Sequence, residues 1–300
     1  MKSVTKISAL LFLSGGMISL AAAADKSAAP TAADKPRENS LGMKFVPVKG
    51  TEVQFCIWQT RVQDFQAFVK ATGYDATTGM LSLGNKDGEW KAKGDSWEAP
   101  AEFNQTSTNP VVGVSWNDAK AFCQWLTKKE QKEGKLSANQ SYRLPTDAEW
   151  SVAVGLGEET GATPDEKDKN PKNKNIFPWG RKFPPPPGTG NYGGEESNIG
   201  SLAWRKQVIE GYNDGFPRTS PVGSFPANQS GLYDMGGNVT EWCEDHFNAM
   251  EPTSRVLRGA SWLKVHAPHF FSSSRGRNSP DIRRYDTGFR CVLAGGEAPH

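Results

Sequence analysis

Histidine and cysteine are scarce in this sequence, which contains 4 of each among its 300 residues. All the histidines lie at or beyond His246, so no histidine cluster precedes that point. Neither sign of charge is in excess, because 35 lysines and arginines accompany 33 aspartates and glutamates. Proteins that bind nucleic acids normally carry a clear surplus of basic residues. The composition therefore argues against a nucleic-acid partner.

Long hydrophobic runs are also lacking. The apolar segment at residues 7–20 is short for a membrane span and is interrupted by Ser14, Gly15 and Gly16. Basic residues precede it and three small alanines follow it, which is the pattern of a cleaved secretory signal peptide. We therefore predict a signal peptide over residues 1–24 and a secreted or periplasmic bacterial protein, with no transmembrane anchor after cleavage.

The predicted export would allow the cysteines to form disulfides, because disulfides persist in oxidising compartments. Four cysteines allow three pairings, and buried free thiols are the alternative. The residues alone do not choose between these states. The four are Cys56, Cys123, Cys243 and Cys291.

Residues 25–40 are rich in Ala, Lys, Asp and Pro and contain almost no large apolar side chain, which predicts a flexible linker. One folded domain is then expected over residues 41–300. Apolar residues at 43–48 and 53–58 predict a pair of opening strands. Residues 255–262 and 287–293 predict closing strands on either side of an arginine-rich loop at residues 275–284.

Capping patterns predict three helices between these strands. The first begins at the Thr60-to-Gln63 pattern and ends at Gly73, and the second is capped by Ser115. The second helix carries Cys123 on its apolar face. A third begins at the Thr146-to-Glu149 capping box, whereas residues 74–109 and 155–175 are rich in polar turn formers and predict irregular loops.

The stretch Gly231–Asp245 combines adjacent glycines, an asparagine and several carboxylates without a helix or strand period. Gly236 and Gly237 permit a tight turn, so Asp234 and Glu241 can converge on one point. Calcium is bound by six to eight oxygens, including backbone carbonyls of irregular chain. The stretch predicts either a cation site or a tight turn with solvated acids.

Seven motifs in a fixed order resemble the formylglycine-generating, or sulfatase-modifying factor, family, and they span residues 41–293. They are Gly113-Val-Ser-Trp, Arg143-Leu-Pro-Thr-Asp-Ala-Glu-Trp, Phe177-Pro-Trp-Gly, Gly231-Leu-Tyr-Asp, Gly237-Asn-Val-Thr-Glu-Trp, Arg258-Gly-Ala-Ser-Trp and Gly288-Phe-Arg-Cys. The resemblance implies a single α+β domain of the C-type-lectin-like kind, with short strands, two or three helices and long irregular loops.

The resemblance also implies structural calcium at two sites. The first site would use the side chains of Asp234 and Glu241 with carbonyls near Gly236 and Val239. The second would use Asn191, the carbonyl of Tyr192, Asp214 and the carbonyl of Phe216, with Asn198 as a rival to Asn191. A family disulfide maps onto Cys123 and Cys291, and Cys56 and Cys243 are left as a possible second bridge.

The chemistry of the family depends on two cysteines that bind copper(I). In this chain the corresponding segment, residues 261–275, contains no cysteine, and the two positions fall near Lys264 and Ala267. Neither side chain offers the soft sulfur ligand that copper(I) prefers, so copper is unlikely as a cofactor. His266 and His269 are spaced as imidazole ligands, but Pro268 between them argues against a regular helix.

The sequence therefore predicts an exported family member without the copper site, which acts as a binding or accessory module for a peptide, protein or glycan. An oxidoreductase that uses a different metal or ligand set is the alternative, and a structural protein of the cell envelope is a third reading. The binding groove is expected to be lined by Trp262, Arg275, Arg277, Arg283 and Arg284.

Overall fold

The computed structural model describes Met1 and residues 36–295, except for residues 84–88, 101–102, 158, 172–173, 200–206, 249 and 251. The chain divides into two units, Met1–Lys35 and Pro36–His300, and every helix and strand described below belongs to the second. The predicted signal peptide and most of the predicted linker lie outside the described residues. No helix among the described residues is long and apolar enough to cross a membrane.

The described residues contain four α-helices. They are α1 (Val62–Thr72), α2 (Trp116–Lys132), α3 (Asp147–Ala153) and α4 (Pro164–Lys169). The predicted caps of α2 and α3 are confirmed, because Ser115 accepts from the Asp118 N–H and Thr146 accepts from the Glu149 N–H. Helix α1 begins one residue later than predicted, and Gly73 ends it in the left-handed conformation.

Three sheets surround these helices. The first has five strands in the order β1-β2-β3-β12-β6, and the second has three, in the order β10-β4-β5. The third has four strands in the order β11-β7-β8-β9, of which β11 and β7 are parallel. The strands are β1 (Arg37–Glu38), β2 (Lys44–Pro47), β3 (Gln54–Cys56), β4 (Met80–Leu83), β5 (Trp90–Ala92), β6 (Ser141–Arg143), β7 (Thr240–His246), β8 (Arg255–Arg258), β9 (Arg275–Asn278), β10 (Arg283–Arg284), β11 (Thr287–Phe289) and β12 (Val292–Ala294).

The five-stranded sheet is buried on both faces. Successive side chains of a strand point to opposite faces, so Phe55 and Cys56 of β3 enter different clusters. Phe55 packs with Trp150 and Cys243, whereas Cys56 packs with Phe65, Phe122 and the apolar face of α2. Aromatic rings fill the cluster that contains Cys56, with the Phe65 and Phe122 ring centroids 6.2 Å apart.

The predicted α+β class is confirmed, although the boundaries differ in four places. Strand β1 lies inside the predicted linker and pairs with β2. Helix α4 lies within residues 155–175, which were expected to be loop, and β4 and β5 lie within the expected irregular region. The arginine-rich segment at 275–284, which was expected to be loop, contains β9 and β10, which pair with β8 and β4.

Candidate functional site

A cleft lies where the chain leaves β8 and returns to the same sheet as β9. Arg258 and Arg275 are paired across these strands, so both ends of the intervening residues 259–274 are fixed. This loop contains a short 3-10 helix, Ala267–Phe270. The main cavity beside it has a volume of about 250 Å³ and is lined by Thr240, Leu257, Gly259, Lys264, His269, Ser274, Arg275, Gly276, Arg277, Arg284, Asp286 and Thr287.

A second cavity of about 240 Å³ continues the cleft, because Lys264, His269 and Arg284 line both cavities. Trp90, Leu83 and Val265 give this second part an apolar wall. The guanidinium of Arg284 lies 3.4 Å from the centre of the Trp90 ring, which holds the arginine between the two cavities. The cleft is therefore elongated, with cations along the polar part and an aromatic surface at one end.

Positive charge dominates the lining of the main cavity. Asp286 is the single carboxylate among its lining residues, and Arg284 lies 3.2 Å from it. Burial opposes ionisation of Asp286, but Arg284 and Lys264 hold its pKa below the usual value. Arg277 is exposed and lies over the Phe247 ring, and it has no carboxylate partner within the part of the chain that the structure describes. Its guanidinium is available to an acidic ligand.

A buried ionic network supports the floor of the cleft. Asp147 accepts hydrogen bonds from Arg258 Nη1 at 2.5 Å and from Arg275 Nε at 2.8 Å. Arg275 also pairs with Glu159, and all four side chains are almost fully buried. Burial alone would raise the pKa of Asp147, but Arg258 and Arg275 lower it below its ordinary value. The network fixes α3 against β8 and β9.

The predicted groove residues separate into three groups. Arg275, Arg277 and Arg284 line the main cavity, as expected for a groove. Trp262 does not line it: its side chain is 0% exposed and packs against Tyr285 with ring centroids 5.0 Å apart. Arg283 also faces elsewhere, because its Nε donates to Asp118 at 2.6 Å. The sequence did not identify Lys264 or His269 as groove residues, although the position of Lys264 was noted.

The positions that correspond to the copper-binding cysteines lie at this cleft. Lys264 lines both cavities, and Ala267 begins the 3-10 helix. The ring centroids of His266 and His269 are 5.9 Å apart, and burial, Lys264 and His266 lower the pKa of His269. The described residues contain no group of three or more His, Cys, Asp or Glu side chains that could hold a metal. The two histidines therefore lack a third side-chain ligand of this kind.

The first predicted calcium site has a different arrangement from the one expected. The Gly236 carbonyl accepts from the Ala260 N–H at 3.2 Å, and the neighbouring Gly237 carbonyl accepts from Gln59 Nε2 at 3.0 Å. Both oxygens of Glu241 already accept hydrogen bonds from Arg290, at 2.9 and 3.2 Å. Asp234 accepts from the Gly223 N–H through Oδ2, and burial raises its pKa to about 6.

The second predicted site contains a carboxylate that sequence reasoning missed. Asp214 accepts from the Tyr192 and Phe216 N–H groups, at 2.8 and 2.9 Å, and burial raises its pKa to about 7. Glu196 adds to this increase by repulsion, and both of its own carboxylate oxygens are buried without a hydrogen-bond partner among the described residues. Glu196 thus places two unpaired oxygens beside Asp214, and two neighbouring carboxylates fit a hard cation.

The remaining predicted ligands of the second site differ in burial and in whether their oxygens already accept hydrogen bonds. Asn191 is fully buried, and its Oδ1 has no hydrogen-bond partner among the described residues, while its Nδ2 donates to the Arg218 carbonyl at 2.6 Å. The Tyr192 carbonyl accepts from the Gly194 N–H. Asn198, the rival to Asn191, follows the 3-10 helix Glu195–Ser197 and is exposed. The position of Glu196 one turn before it could have suggested this carboxylate.

A family model, described as the sulfatase-modifying factor enzyme 1-like domain, matches residues 2–294. The chain belongs to this family. A formylglycine-generating enzyme from Thermomonospora curvata is 30% identical over 274 residues, which cover 77% of this chain and 78% of the relative. A formylglycine-generating enzyme from Mus musculus is 32% identical over 270 residues, 76% of this chain and 62% of the relative.

One relative in this family is described as inactive. The inactive C-alpha-formylglycine-generating enzyme 2 of Bos taurus is 35% identical over 197 residues, which cover 63% of this chain and 52% of that protein. The chain thus spans about half to two thirds of the length of the mammalian relatives. Among solved structures, PvdO from Pseudomonas aeruginosa has a TM-score of 0.55 at 23% identity, covering 81% of this chain and 80% of PvdO. This likeness confirms the predicted fold.

The cysteines can now be compared with the family pattern. Cys123 of α2 and Cys291 lie with their sulfurs 3.6 Å apart, and both are thiols in this structure. Cys56 and Cys243 belong to different hydrophobic clusters on opposite faces of the five-stranded sheet, so the structure does not pair them. Burial raises the pKa of Cys56, Cys243 and Cys291. A buried thiol with a raised pKa forms little thiolate, which is the nucleophilic and metal-binding form.

Proposed function

We propose that this protein is an exported, non-catalytic member of the sulfatase-modifying factor family that binds an extended peptide carrying acidic side chains. The observation that carries the proposal is the cleft itself. The segment where the family resemblance places copper-binding cysteines supplies Lys264 and a short 3-10 helix, and the cavity beside it is lined by cations.

Electrostatics favours an acidic ligand over a basic one. Arg275 is neutralised by Asp147 and Glu159, and Arg284 is paired with Asp286. Arg277 has no such partner among the described residues, so a ligand carboxylate gains a charge-assisted hydrogen bond without displacing an internal one. The aromatic wall formed with Trp90 would accommodate an apolar neighbour of that carboxylate.

The distribution of cysteines supports a non-catalytic role. All four cysteines are buried, and none lines either cavity of the cleft. Lysine does not bind copper(I), which prefers thiolate or thioether ligands. We therefore expect no conversion of a substrate cysteine to formylglycine. The inactive relative from Bos taurus fits this expectation as a precedent within the family.

Calcium is proposed at the second site only. Asp214, Glu196 and Asn191 would supply oxygens there, and the ion would relieve the repulsion between the two carboxylates. Its role would be to hold the described residues 191–199 and 207–216 in place. This segment contains no α-helix or β-strand among its described residues that would otherwise do so.

The peptide-binding proposal can be tested with fluorescent decapeptides of two kinds, rich in Asp and Glu or rich in Lys and Arg. The mature protein should bind the acidic peptides more tightly, and Arg277→Glu should weaken that binding roughly 5- to 30-fold, about 1 to 2 kcal/mol. Lys70→Glu, on the exposed last turn of α1, makes the same charge change away from the cleft and should have little effect.

Two results would overturn the proposal. One is conversion of a cysteine-containing sulfatase peptide to its aldehyde, detected by mass spectrometry with copper present. The other is tight binding of a sulfated oligosaccharide, weakened by Arg277→Glu, with no binding of acidic peptides, which would assign the cleft to glycans.

A further inference from the structure

The side chain of Gln59 lies at the centre of the first predicted calcium site. Its Nε2 is 3.0 Å from the Gly237 carbonyl, 3.1 Å from the Val239 carbonyl and 2.9 Å from Glu241 Oε1. Gln59 is fully buried, as is the turn around it. An amide nitrogen has two hydrogens, so these three acceptors share them. Three oxygens that converge on one point thus meet a hydrogen-bond donor.

Glu241 is hydrogen bonded on every side. Its Oε1 accepts from Gln59 and from Arg290 Nη2, and its Oε2 accepts from Trp150 Nε1 at 3.0 Å and from Arg290 Nε at 3.2 Å. Arg290 is 0% exposed and also donates to the carbonyls of Cys56 and Tyr233. The carboxylate therefore has a buried countercharge, which is the electrostatic role that a bound cation would otherwise fill.

These contacts leave too few oxygens for calcium, which needs six to eight at 2.3–2.6 Å. Glu241 and the carbonyls of Gly237 and Val239 are engaged by Gln59, and Asp234 Oδ2 accepts from the Gly223 N–H. Of the predicted side-chain donors, Asp234 Oδ1 alone is without a partner among the described residues. The Oε1 of Gln59 itself is also without a partner among the described residues. Two oxygens do not form a calcium site.

We propose that Gln59 and Arg290 together take the place of the first calcium ion, so that the Asp234–Glu241 turn is held without metal. Gln59 supplies the donors that satisfy the converging oxygens, and Arg290 supplies the positive charge. The orientation of the Gln59 amide decides whether the turn contains a hydrogen-bond donor or a cation. If the amide were turned over, its oxygen would join three others about 3 Å away, and only a cation among them would make that arrangement stable.

The identity of residue 59 is therefore a switch between two ways of holding the same turn. In Gln59→Glu, a carboxylate oxygen takes the position of the donating Nε2. It then faces the carbonyls of Gly237 and Val239 and the carboxylate of Glu241. Repulsion among these oxygens is removed when a cation binds. The substitution is nearly isosteric and should create the calcium site that the native residue closes.

The test uses the full mature chain with Asp214→Asn, which removes the second proposed site and leaves the first alone. Calcium is titrated by calorimetry, and the Tm is recorded in excess chelator and in excess calcium. With Gln59 in place, we expect no calcium binding at this site and a Tm shift of less than about 1 °C. Adding Gln59→Glu should produce one calcium ion bound per chain and a Tm that rises by several degrees with calcium.

Gln66→Glu, on the exposed face of α1, adds the same charge without facing the turn and should gain no calcium response. One calcium ion bound by the Asp214→Asn chain, and lost again on Asp234→Asn, would overturn the proposal. That measurement decides the matter even if Gln59→Glu does not fold. A folded Gln59→Glu chain that ignores calcium would also contradict it. Peptide binding at the cleft is measured separately, so its failure leaves this result unaffected.

Discussion

At the scale of single residues, Asp147 is the carboxylate on the cleft floor that pairs with the most basic side chains among the described residues. Arg258, Arg275 and Lys167 all lie within 3.6 Å of its carboxylate. Replacing it with Asn leaves the buried guanidinium of Arg258 without its countercharge and leaves Arg275 with Glu159 alone. We expect Asp147→Asn to lower the free energy of unfolding by roughly 3 to 5 kcal/mol in urea denaturation, the cost of breaking a buried ion pair from one side.

The same network sets the acid stability. Because the pKa of Asp147 in the folded chain lies below its ordinary value of 3.8, its stabilising effect is present above that value and is lost as the pH falls through the lowered pKa. Asp147→Asn should flatten this acid limb. Asp165→Asn removes an exposed pair with Lys169 on α4 and should change stability by less than about 0.5 kcal/mol. Equal losses in both variants would contradict the prediction.

The residues that meet at the Asp234–Glu241 turn and at the second predicted calcium site were only partly predictable from the sequence. The glycines and carboxylates of Gly231–Asp245 predict that Asp234 and Glu241 converge. In the structure Glu241 meets the carbonyls of Gly237 and Val239 at Gln59, whereas Asp234 accepts from the Gly223 N–H. Gln59 could not be placed there, because it is separated by about 180 positions and lies in a segment that predicts an ordinary strand and helix start. Glu196 was missed for a similar reason: its partner, Asp214, becomes a neighbour only through the path of an irregular loop.

At the scale of elements, Cys123 of α2 lies against Cys291, in the segment between β11 and β12. The two sulfurs of Cys123 and Cys291 are already in contact, and the resemblance to the family implies a bridge. We expect this bridge to form in an oxidising compartment. Cys123→Ser should then lower the free energy of unfolding by about 3 to 5 kcal/mol under oxidising conditions, because the closed loop is long.

The control for this prediction is Cys243→Ser, which leaves the pair intact. Peptide mapping by mass spectrometry under non-reducing conditions should find Cys123 linked to Cys291 in that variant. The stability difference between Cys123→Ser and the parent should disappear in excess reductant. A bridge from Cys291 to Cys56 would show that the wrong neighbour was chosen, since both lie in the same cluster.

The elements were predictable where local signals are strong. Ser115, Thr146 and Gly73 mark helix ends by hydrogen bonds and backbone conformation that involve neighbouring residues only. Strands β9 and β10 were read as loop, because their arginines show no apolar alternation and their partners are distant in sequence. Helix α4 was missed because its residues are polar and its packing against β9 depends on the whole fold.

At the scale of the whole molecule, the folded unit begins earlier than the sequence suggested. Arg37 Nη2 donates to the Lys135 carbonyl at 2.6 Å, and the Ser40 N–H donates to Glu130 at 2.6 Å, so this segment ties the N-terminus to the end of α2. A chain that starts at Pro36 should unfold at the same temperature as the mature protein. A chain that starts at Leu41 should have a Tm lower by several degrees in differential scanning calorimetry.

The comparison of these two truncations separates strand pairing from chain length. If both have the same Tm, β1 contributes nothing and the boundary at Leu41 is adequate. Asn39 supplies a further reason for the expected difference, because its Oδ1 accepts from the Leu41 and Met43 N–H groups and is lost in the shorter chain. The fold itself was predictable at this scale, since ordered motifs along the chain constrain the topology more strongly than any one element does.

The pairing of Arg258 with Arg275 also makes the loop between them an exchangeable part. Residues 259–274 leave and re-enter the sheet at adjacent positions, and the ionic network around Asp147 fixes those positions, with the carbonyls of Ser272 and Ser273 as further acceptors for Arg258 and Arg275. Insertions and substitutions in such a loop change the surface it presents while the support remains constant. The exposed part of the loop can therefore vary, in evolution or by design, as long as its buried residues, among them Trp262, Val265 and Phe270, keep their places in the core.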